Sequence, residues 1–236
     1  MSDIADRINQ VRERIDAAAR RAGRNPEEIT LMAVSKTHPA QSVVSAYQAG
    51  IRIFGESRVQ EFATKASVVQ SLRDARWKLI GHLQANKANK AAELFHAVHS
   101  VDSLRLLERL HSAREKLGTS SLEVLIEVNV GGETAKSGLP AEIRAVDDLL
   151  NAAAGLPHIQ IHGLMTIPPH TEDPEGARPY FSKLRSLRDE IARRKFSGVS
   201  MEQLSMGMSH DFEVAIEEGS TCVRIGTAIF GERTNK

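Results

Sequence analysis

Eight short apolar runs alternate along this chain with longer stretches of helical periodicity, and this alternation restricts its fold more than any other feature. In order, the runs occupy residues 29–36, 51–57, 77–82, 95–102, 122–130, 159–166, 203–207 and 222–228. Most are apolar throughout, which predicts parallel strands covered on both faces. About eight strand–helix units in roughly 250 residues are what a barrel of this type needs. We therefore predict an α/β fold, a single (β/α)8 TIM-type barrel, with a doubly wound open sheet as the structural alternative.

One additional helix precedes the first predicted strand. Its apolar face recurs at helical spacing and comprises Ile4, Ile8, Val11, Ile15 and Ala18. Ser2 or Asp3 provides its N-terminal cap, and Gly23 ends it. No Ser/Gly tract, long charge block or change of composition interrupts residues 1–236, so we predict one domain over that whole range.

Composition and charge exclude several classes of partner and compartment. A net charge of +1 argues against nucleic acid as a partner, because phosphate backbones are bound by a basic stripe. No apolar run is long enough for a bilayer, so we expect no membrane partner, and the first residues do not form a signal peptide. Cys222 is the single cysteine, which suits a reducing compartment. We expect a cytoplasmic protein.

Polar and small residues stand where the predicted strands end, and a barrel of this type carries its chemistry there. In chain order they are Lys36, Glu56, Ser57, His82, Asp102, Ser103, Asn129, Met165, Thr166, Ser205, Gly207, Arg224, Gly226 and Thr227. A lysine partly removed from water at this place loses its proton more readily and can form a Schiff base with an aldehyde. The alternative for Lys36 is a side chain whose stem covers the strand end while its ammonium group stays in water.

Two loops near the end of the chain have the composition of a phosphate site. In "VRIGTAIFGE", Gly226 and Thr227 stand where a short helix can begin, and bare backbone N–H groups with a hydroxyl bind phosphate well. "LSMGMS" ends the preceding predicted strand with Ser205 and Gly207. The loops after the last two strands often hold phosphate in barrels. Ordinary helix capping is the alternative, with Ser209 as the cap of "DFEVAIEEG".

Seven segments, taken in order, resemble the pyridoxal phosphate homeostasis protein family. They read "AVSKTHP", "FGESRVQE", "LIGHLQANK", "HSVDS", "EVNVGGETAKSGL", "GLMTIPP" and "LSMGMSHDFEVAIEEGSTCVRIGTAIFGER", and they span residues 33–233. The family has a single barrel similar to the N-terminal domain of alanine racemase. The resemblance implies a protein that holds pyridoxal 5′-phosphate (PLP) as a Schiff base and acts in PLP (vitamin B6) homeostasis as a carrier or regulator, without established catalytic turnover.

The same resemblance implies which residues hold the cofactor. Lys36 would be the Schiff-base lysine, and Arg224 would face the pyridine nitrogen. The phosphate would be held, largely through backbone N–H groups, by Ser205, Met206, Gly226 and Thr227. No catalytic residue and no metal ligand is implied. We expect a monomer whose ligand is PLP and whose recipients are PLP-dependent apoenzymes.

One position departs from the family pattern. The family usually reads FGEN after its second strand, whereas this chain reads "FGES". Ser57 offers one hydrogen-bond donor where an asparagine offers two, which weakens the case for a contact with the cofactor edge at this position.

Two enzyme functions remain as alternatives to the carrier. The first is a PLP-dependent amino-acid racemase. The second is a barrel enzyme that acts on a sugar phosphate through an imine on Lys36, for which Glu56 and Asp102 are the available acid–base partners. A nucleotide-binding function is rejected, because "GGETAKSG" lacks the Gly-Lys-Ser/Thr ending of a phosphate loop and no G-x-G-x-x-G follows a strand.

Racemisation needs an acid–base group on each face of the cofactor. Tyr47 and Tyr180 are the only tyrosines, and both lie in helical patterns that we expect on the outer ring of the barrel. The chain ends at Lys236, soon after the last phosphate-type loop, so we expect no second domain to supply the missing group. These features favour the carrier over the racemase.

Overall fold

The computed structural model describes residues 3–232, so Ser2 and Arg233 lie outside the described residues. Within that range the chain forms nine strands, which are β1 Thr30–Val34, β2 Ile53–Glu56, β3 Arg76–Leu79, β4 Ala97–Val101, β5 Leu122–Asn129, β6 Leu139–Pro140, β7 Ile159–Met165, β8 Val199–Met208 and β9 Cys222–Ile225. The eight predicted strands are all present. The two-residue strand β6 was not predicted, and it lies beside the end of β5, with Leu139 opposite Val128.

The strands close into a parallel barrel. Pairing runs in the order β4, β3, β2, β1, β9, β8, β7 and β5, and β4 also pairs with β5. Every pairing in this ring is parallel. An open doubly wound sheet would leave two edge strands unpaired, so closure confirms the (β/α)8 barrel and excludes the open sheet.

Helices cover the outside of the barrel. In the described part of the chain they are α1 Ile4–Arg21, α2 Ala40–Gln48, α3 Val59–Val69, α4 Ala88–Leu94, α5 Leu104–Leu117, α6 Ile143–Ala152, α7 Arg178–Arg194, α8 Phe212–Glu217 and α9 Thr227–Phe230. Short 3-10 helices occupy Pro26–Glu28, Ala85–Lys87, Ala153–Gly155 and Pro174–Ala177. None of the helices within residues 3–232 is long and apolar enough to cross a membrane.

The predicted additional helix is α1, which packs against α2, α8 and α9 and so lies between the first and last units of the barrel. The side chain of Asp3 accepts a hydrogen bond from Ile4 N at its start. Gly23 follows its C-cap, Ala22, with φ +67°, as expected for a residue that ends a helix. Four of the five residues predicted on its apolar face are buried, and Ile4 is partly buried against the core.

Side chains that point into the barrel include two polar clusters. Near the N-terminal ends of the strands, Lys78 Nζ lies 2.8 Å from Glu123 Oε1, which also accepts from Gln203 Nε2 at 3.0 Å. Further along, His99 Nδ1 lies 3.2 Å from Ser205 Oγ. These contacts join β3 with β5 and β4 with β8, which are not neighbours in the sheet, so they cross the interior. Polar side chains inside the barrel can therefore contribute to a functional site at the C-terminal ends of the strands.

Gly207 allows α8 to pack closely on β8, and this generates a test of the fold. A Cβ at Gly207, which has φ +93°, would lie 2.6 Å from Ala215 Cβ and 2.9 Å from Phe212 Cα. Gly118, the left-handed C-cap of α5, has φ +60° but no atom within 4 Å of an added Cβ. We expect Gly118→Ala to lower the free energy of unfolding by about 1 kcal/mol, and Gly207→Ala by about 3 kcal/mol or more.

Urea denaturation followed by circular dichroism measures both losses. The Gly118 variant is the matched control, because it changes the backbone conformational term without the steric term. Equal losses in the two variants would show that close packing of α8 on β8 does not require a glycine.

Candidate functional site

A cavity of about 330 Å³ opens at the C-terminal ends of the barrel strands, and we call it the Lys36 cavity. It is lined by Val34, Lys36, Ser57, Ile80, Gly81, Ile167, Met208, Ser209, His210, Arg224, Gly226 and Thr227. Its volume lies in the range of sites that hold one small cofactor. A larger cavity of about 410 Å³ lies at the opposite end of the barrel, beside Thr30 and Cys222. We place the site at the C-terminal end, because barrel chemistry is carried by the loops that follow the strands.

Lys36 is half-buried and lies two residues beyond the end of β1. The backbone on both sides of it is fixed by hydrogen bonds. Ser35 N donates to Gly55 O at 3.0 Å, and Thr37 N donates to Glu61 Oε1 at 2.6 Å. Thr37 has φ +66°, an unusual value for a β-branched residue that its surroundings must stabilise. Lys36 therefore leaves the strand from a fixed backbone.

A buried ion pair lies behind this backbone, on the side of α3. Glu56 Oε1 accepts from Ser35 Oγ at 2.8 Å and from Lys65 Nζ at 3.1 Å, and Lys65 also donates to Glu61 Oε1 at 2.8 Å. Burial raises the pKa of Glu56, and Lys65 and Ser35 oppose that rise. Glu56 thus faces α3 and does not line the Lys36 cavity, although its place at the end of β2 made it a candidate partner for Lys36.

Arg224 forms the inner wall of the cavity and is 3% exposed. Its Nη1 donates to both the carbonyl oxygen and Oγ of Ser205, and its Nη2 donates to Thr166 O at 2.7 Å. Burial lowers the pKa of the Arg224 guanidinium from its ordinary value. Burial also lowers the pKa of the neighbouring His99 well below its usual range, so that imidazole is neutral at physiological pH. Arg224 is therefore the fixed cation of this wall.

The loops that follow β8 and β9 meet at the other side of the cavity. Ser209 Oγ accepts a hydrogen bond from Ala228 N at 3.3 Å, which joins the two loops. Thr227 is exposed, and Gly226 is half-buried. An added Cβ at Gly226 would meet Val34 O only at 3.6 Å, an ordinary contact. The hydroxyls of Ser209 and Thr227 and the backbone of Gly226 together line one side of the Lys36 cavity.

The structure brings four of the six predicted cofactor residues to this cavity, namely Lys36, Arg224, Gly226 and Thr227. Ser205 and Met206 are fully buried and do not line it. Both residues lie inside β8, which continues to Met208, one residue beyond the predicted end at residue 207, and Ser205 Oγ accepts a hydrogen bond from Arg224. Ser205 is thus an interior residue that binds Arg224.

A glycine inside β8 explains the wrong strand end. Gly207 was taken as the end of the strand, but it lies within β8, and the register with β9 shifts between Ser205 and Met208. A glycine followed by a further apolar residue is typical of such an irregularity, so "MGMS" contains the signal that identifies Ser209. The proposed capping role of Ser209 is also wrong, because Asp211 is the N-cap of α8 and its Oδ1 accepts from Met208 N at 2.6 Å.

Gly81 is a second residue that sequence reasoning missed. An added Cβ there would lie 2.3 Å from Ser57 O, so only glycine permits this approach of the loops that follow β2 and β3. Ser57 itself lines the cavity, with one hydroxyl where a longer amide would project further.

Comparison with known proteins gives one family over almost the entire chain. The alanine racemase N-terminal domain family matches residues 7–234. The pyridoxal phosphate homeostasis protein of Aquifex aeolicus is 46% identical over 231 residues, which cover 98% of this chain and 99% of that protein. The structure of PipY from Synechococcus elongatus with PLP bound has a TM-score of 0.83 and 35% identity, and the match covers 97% of this chain and all of that one.

Alanine racemase shares the fold at a greater distance. The enzyme of Clostridium difficile has a TM-score of 0.76 at 13% identity, and the match covers this chain in full but only 58% of the enzyme. Such low identity establishes the barrel and nothing about activity. The relative from Aquifex aeolicus combines high identity with nearly full coverage of both chains, and this chain belongs to the pyridoxal phosphate homeostasis protein family.

Proposed function

We propose that this chain binds PLP through Lys36 and acts in PLP homeostasis as a carrier or regulator without catalytic turnover. The observation that carries the proposal is the Lys36 cavity, which combines a primary amine, a buried cation at Arg224 and a loop of phosphate-binding composition at Gly226 and Thr227. The PLP-bound structure of the relative PipY, which has the same fold, supports the choice of ligand.

The chemistry of the lining residues fits PLP. When bound, PLP would supply an aldehyde that reacts with an amine, on a pyridine ring that also carries a phosphate. Lys36 offers the amine, and the hydroxyls of Ser209 and Thr227 offer donors to phosphate oxygens. The apolar side chains that contact the ring would be Val34, Ile80 and Ile167.

The position of Arg224 favours a protein that holds PLP over an enzyme that uses PLP in a reaction. Its hydrogen bonds to Ser205 and Thr166 fix its position, and a guanidinium can only donate hydrogen bonds. A permanent cation beside the pyridine nitrogen would disfavour protonation of that nitrogen. Stabilisation of a carbanion by PLP depends on the ring as an electron sink, which protonation strengthens. Arg224 is thus suited to a site that binds PLP without promoting a reaction on it.

The proposal also includes a single domain over residues 1–236, a monomer, a cytoplasmic location and PLP-dependent apoenzymes as recipients of PLP. Burial raises the pKa of the Cys222 thiol, which keeps it protonated and unreactive, as suits a structural cysteine in a reducing compartment.

The first test of this proposal concerns the amine. Borohydride treatment of the protein with PLP should fix a stable adduct on the peptide that contains Lys36, as measured by mass spectrometry. The Lys36→Ala variant should lose the PLP absorption band and keep its unfolding midpoint, because a half-buried lysine at the cavity contributes little to the core. An adduct on Lys78, Lys87 or Lys136 in the native protein would contradict the assignment.

The second test concerns the phosphate. Pyridoxal should bind at least about a hundredfold more weakly than PLP, because two or three charge-assisted hydrogen bonds of roughly 1.5–3 kcal/mol each are lost. Gly226→Val should weaken PLP binding more than pyridoxal binding, since its side chain would occupy the phosphate side of the cavity. Titration calorimetry gives the affinities, and the spacious backbone environment of Gly226 predicts a folded variant. Equal affinity for the two aldehydes would refute this arrangement.

The positions of the tyrosines weigh against the racemase alternative. Tyr47 lies in α2, where its hydroxyl binds Asp74 and Arg52 stacks on its ring at 4.1 Å from the ring centroid. Tyr180 lies in α7 on the outer ring. These are the only two tyrosines in the sequence, and neither lines the Lys36 cavity.

We therefore expect slow exchange of the Cα hydrogen of L-alanine with deuterium from solvent. One general acid–base group is worth about 10²–10⁴ in rate, so a site with Lys36 and without a lining tyrosine should be slower than a racemase by that order. Proton NMR in heavy water measures the exchange. Rapid exchange with inversion that disappears in Lys36→Ala would replace the carrier by an enzyme.

A further inference from the structure

A cavity of about 300 Å³ adjoins the Lys36 cavity, and we call it the side compartment. It is lined by Ile80, Gly81, His82, Glu127, Val128, Ala135, Lys136, Ser137 and Ile167. Ile80, Gly81 and Ile167 line both cavities and so form a shared wall. The proposed function of the Lys36 cavity leaves this compartment without a role.

Glu127 is the unusual residue of the side compartment. It lies near the end of β5 and is 7% exposed. Its Oε2 is buried and has no hydrogen-bond partner within residues 3–232. A buried carboxylate oxygen without a partner is unfavourable, and a hydrogen-bond donor bound in the adjoining compartment would complete it. Glu127 therefore points to a ligand that donates hydrogen bonds.

The charges around Glu127 come from several elements. Burial raises the pKa of Glu127 to about 7, and Asp102, after β4, adds to the rise. Arg224, on β9, opposes it, but its Nη atoms already bind Ser205 and Thr166. His82, after β3, lies 3.3 Å from Asp102 through Nδ1.

Lys136 also lines the compartment, in the loop after β5. Its Nζ lies 2.8 Å from Glu133 Oε1 and donates to Pro168 O at 3.4 Å. Within residues 3–232, none of these cations donates a hydrogen bond to Oε2 of Glu127.

The chemistry of this carboxyl selects the class of ligand. Residues 3–232 contain no group of three or more His, Cys, Asp or Glu side chains that could hold a metal ion, so a divalent cation lacks ligands. A primary ammonium group carries a positive charge and three hydrogen-bond donors, so it would supply the donor that Glu127 Oε2 does not have. The negative charge of Asp102 would also attract this ammonium group. We propose that the side compartment is a binding site for a small primary amine, held by Glu127 beside the Lys36 cavity.

Binding and ionisation of Glu127 are linked. The ammonium group binds the ionised carboxylate, whose pKa without ligand is about 7. Below that pH the proton must leave as the amine binds, so affinity falls as pH falls. An alkylammonium stays charged over this range, as a lysine side chain with its pKa of about 10.4 does. Affinity at pH 6 should therefore be about tenfold weaker than at pH 8, where Glu127 is ionised.

Ethylamine is the probe, with ethanol as the neutral compound of the same size. Full-length protein, labelled with carboxyl-¹³C glutamate, is freed of bound aldehyde with hydroxylamine and dialysed, so that the amine cannot react with PLP. The Glu127 signal is identified by its loss in Glu127→Gln. Saturating ethylamine should lower its titration midpoint by at least about one pH unit, which corresponds to tenfold linkage, and ethanol should not.

Backbone amide shifts at Val128 give the affinities of the variants. Glu127→Gln, which resembles the protonated side chain, should fold, bind ethylamine at least about tenfold more weakly at pH 8 and lose the pH dependence. His82→Asn should keep the pH dependence of ethylamine binding, which excludes His82 as its source. Glu108→Gln, at an exposed position, is the matched control for the loss of one negative charge. An unchanged Glu127 midpoint in ethylamine, an equal effect of ethanol, or native affinity in Glu127→Gln would overturn the proposal. This test uses no PLP, so its failure is separate from failure of the proposed function.

Discussion

The hydrogen bonds of Arg224 are the interaction on which the interior of the barrel depends. A guanidinium that is 3% exposed must be paired, and its partners are the backbone oxygens of Ser205 and Thr166 together with Ser205 Oγ. These oxygens belong to β8 and to the residue after β7, so the cation joins three consecutive barrel strands. The hydrogen bonds that hold the cation at the site therefore also join these strands.

The sequence predicted the architecture because parallel strands buried on both faces leave uninterrupted apolar runs. All eight runs became barrel strands, and the lysine after the first run, Lys36, lies at the cavity. Prediction failed where the direction of a side chain depends on strand register. Glu56 follows Phe54 by two positions, so it shares the outward face of β2 and pairs with Lys65 on α3. Apolar runs alone therefore do not predict which side chains of a strand point into the barrel.

The phosphate side shows a second limit of sequence reasoning. The sequence indicated Gly207 as the end of a strand, but Gly207 lies inside β8 with φ +93°. The register of β8 with β9 shifts between Ser205 and Met208, and β8 ends at Met208. The strand thus ends one residue later than predicted. Ser209, which follows it, lines the Lys36 cavity, whereas Ser205 lies in the interior beside Arg224. Glu127 was missed for a related reason. It lies four residues after Glu123 on β5, and an apolar run does not show which of its two faces points into the barrel. The closed barrel shows that its Oε2 has no hydrogen-bond partner in the described part of the chain.

The two cavities share one electrostatic environment as well as one wall. Arg224 lowers the pKa of Glu127, whereas Asp102 and burial raise it. A ligand that brings negative charge to Arg224 weakens the first of these effects, so it must raise the pKa of Glu127. A cation in the side compartment acts in the opposite sense. Because Ile80, Gly81 and Ile167 line both cavities, a charged ligand in one would change the charge state favoured in the other without any movement of the barrel.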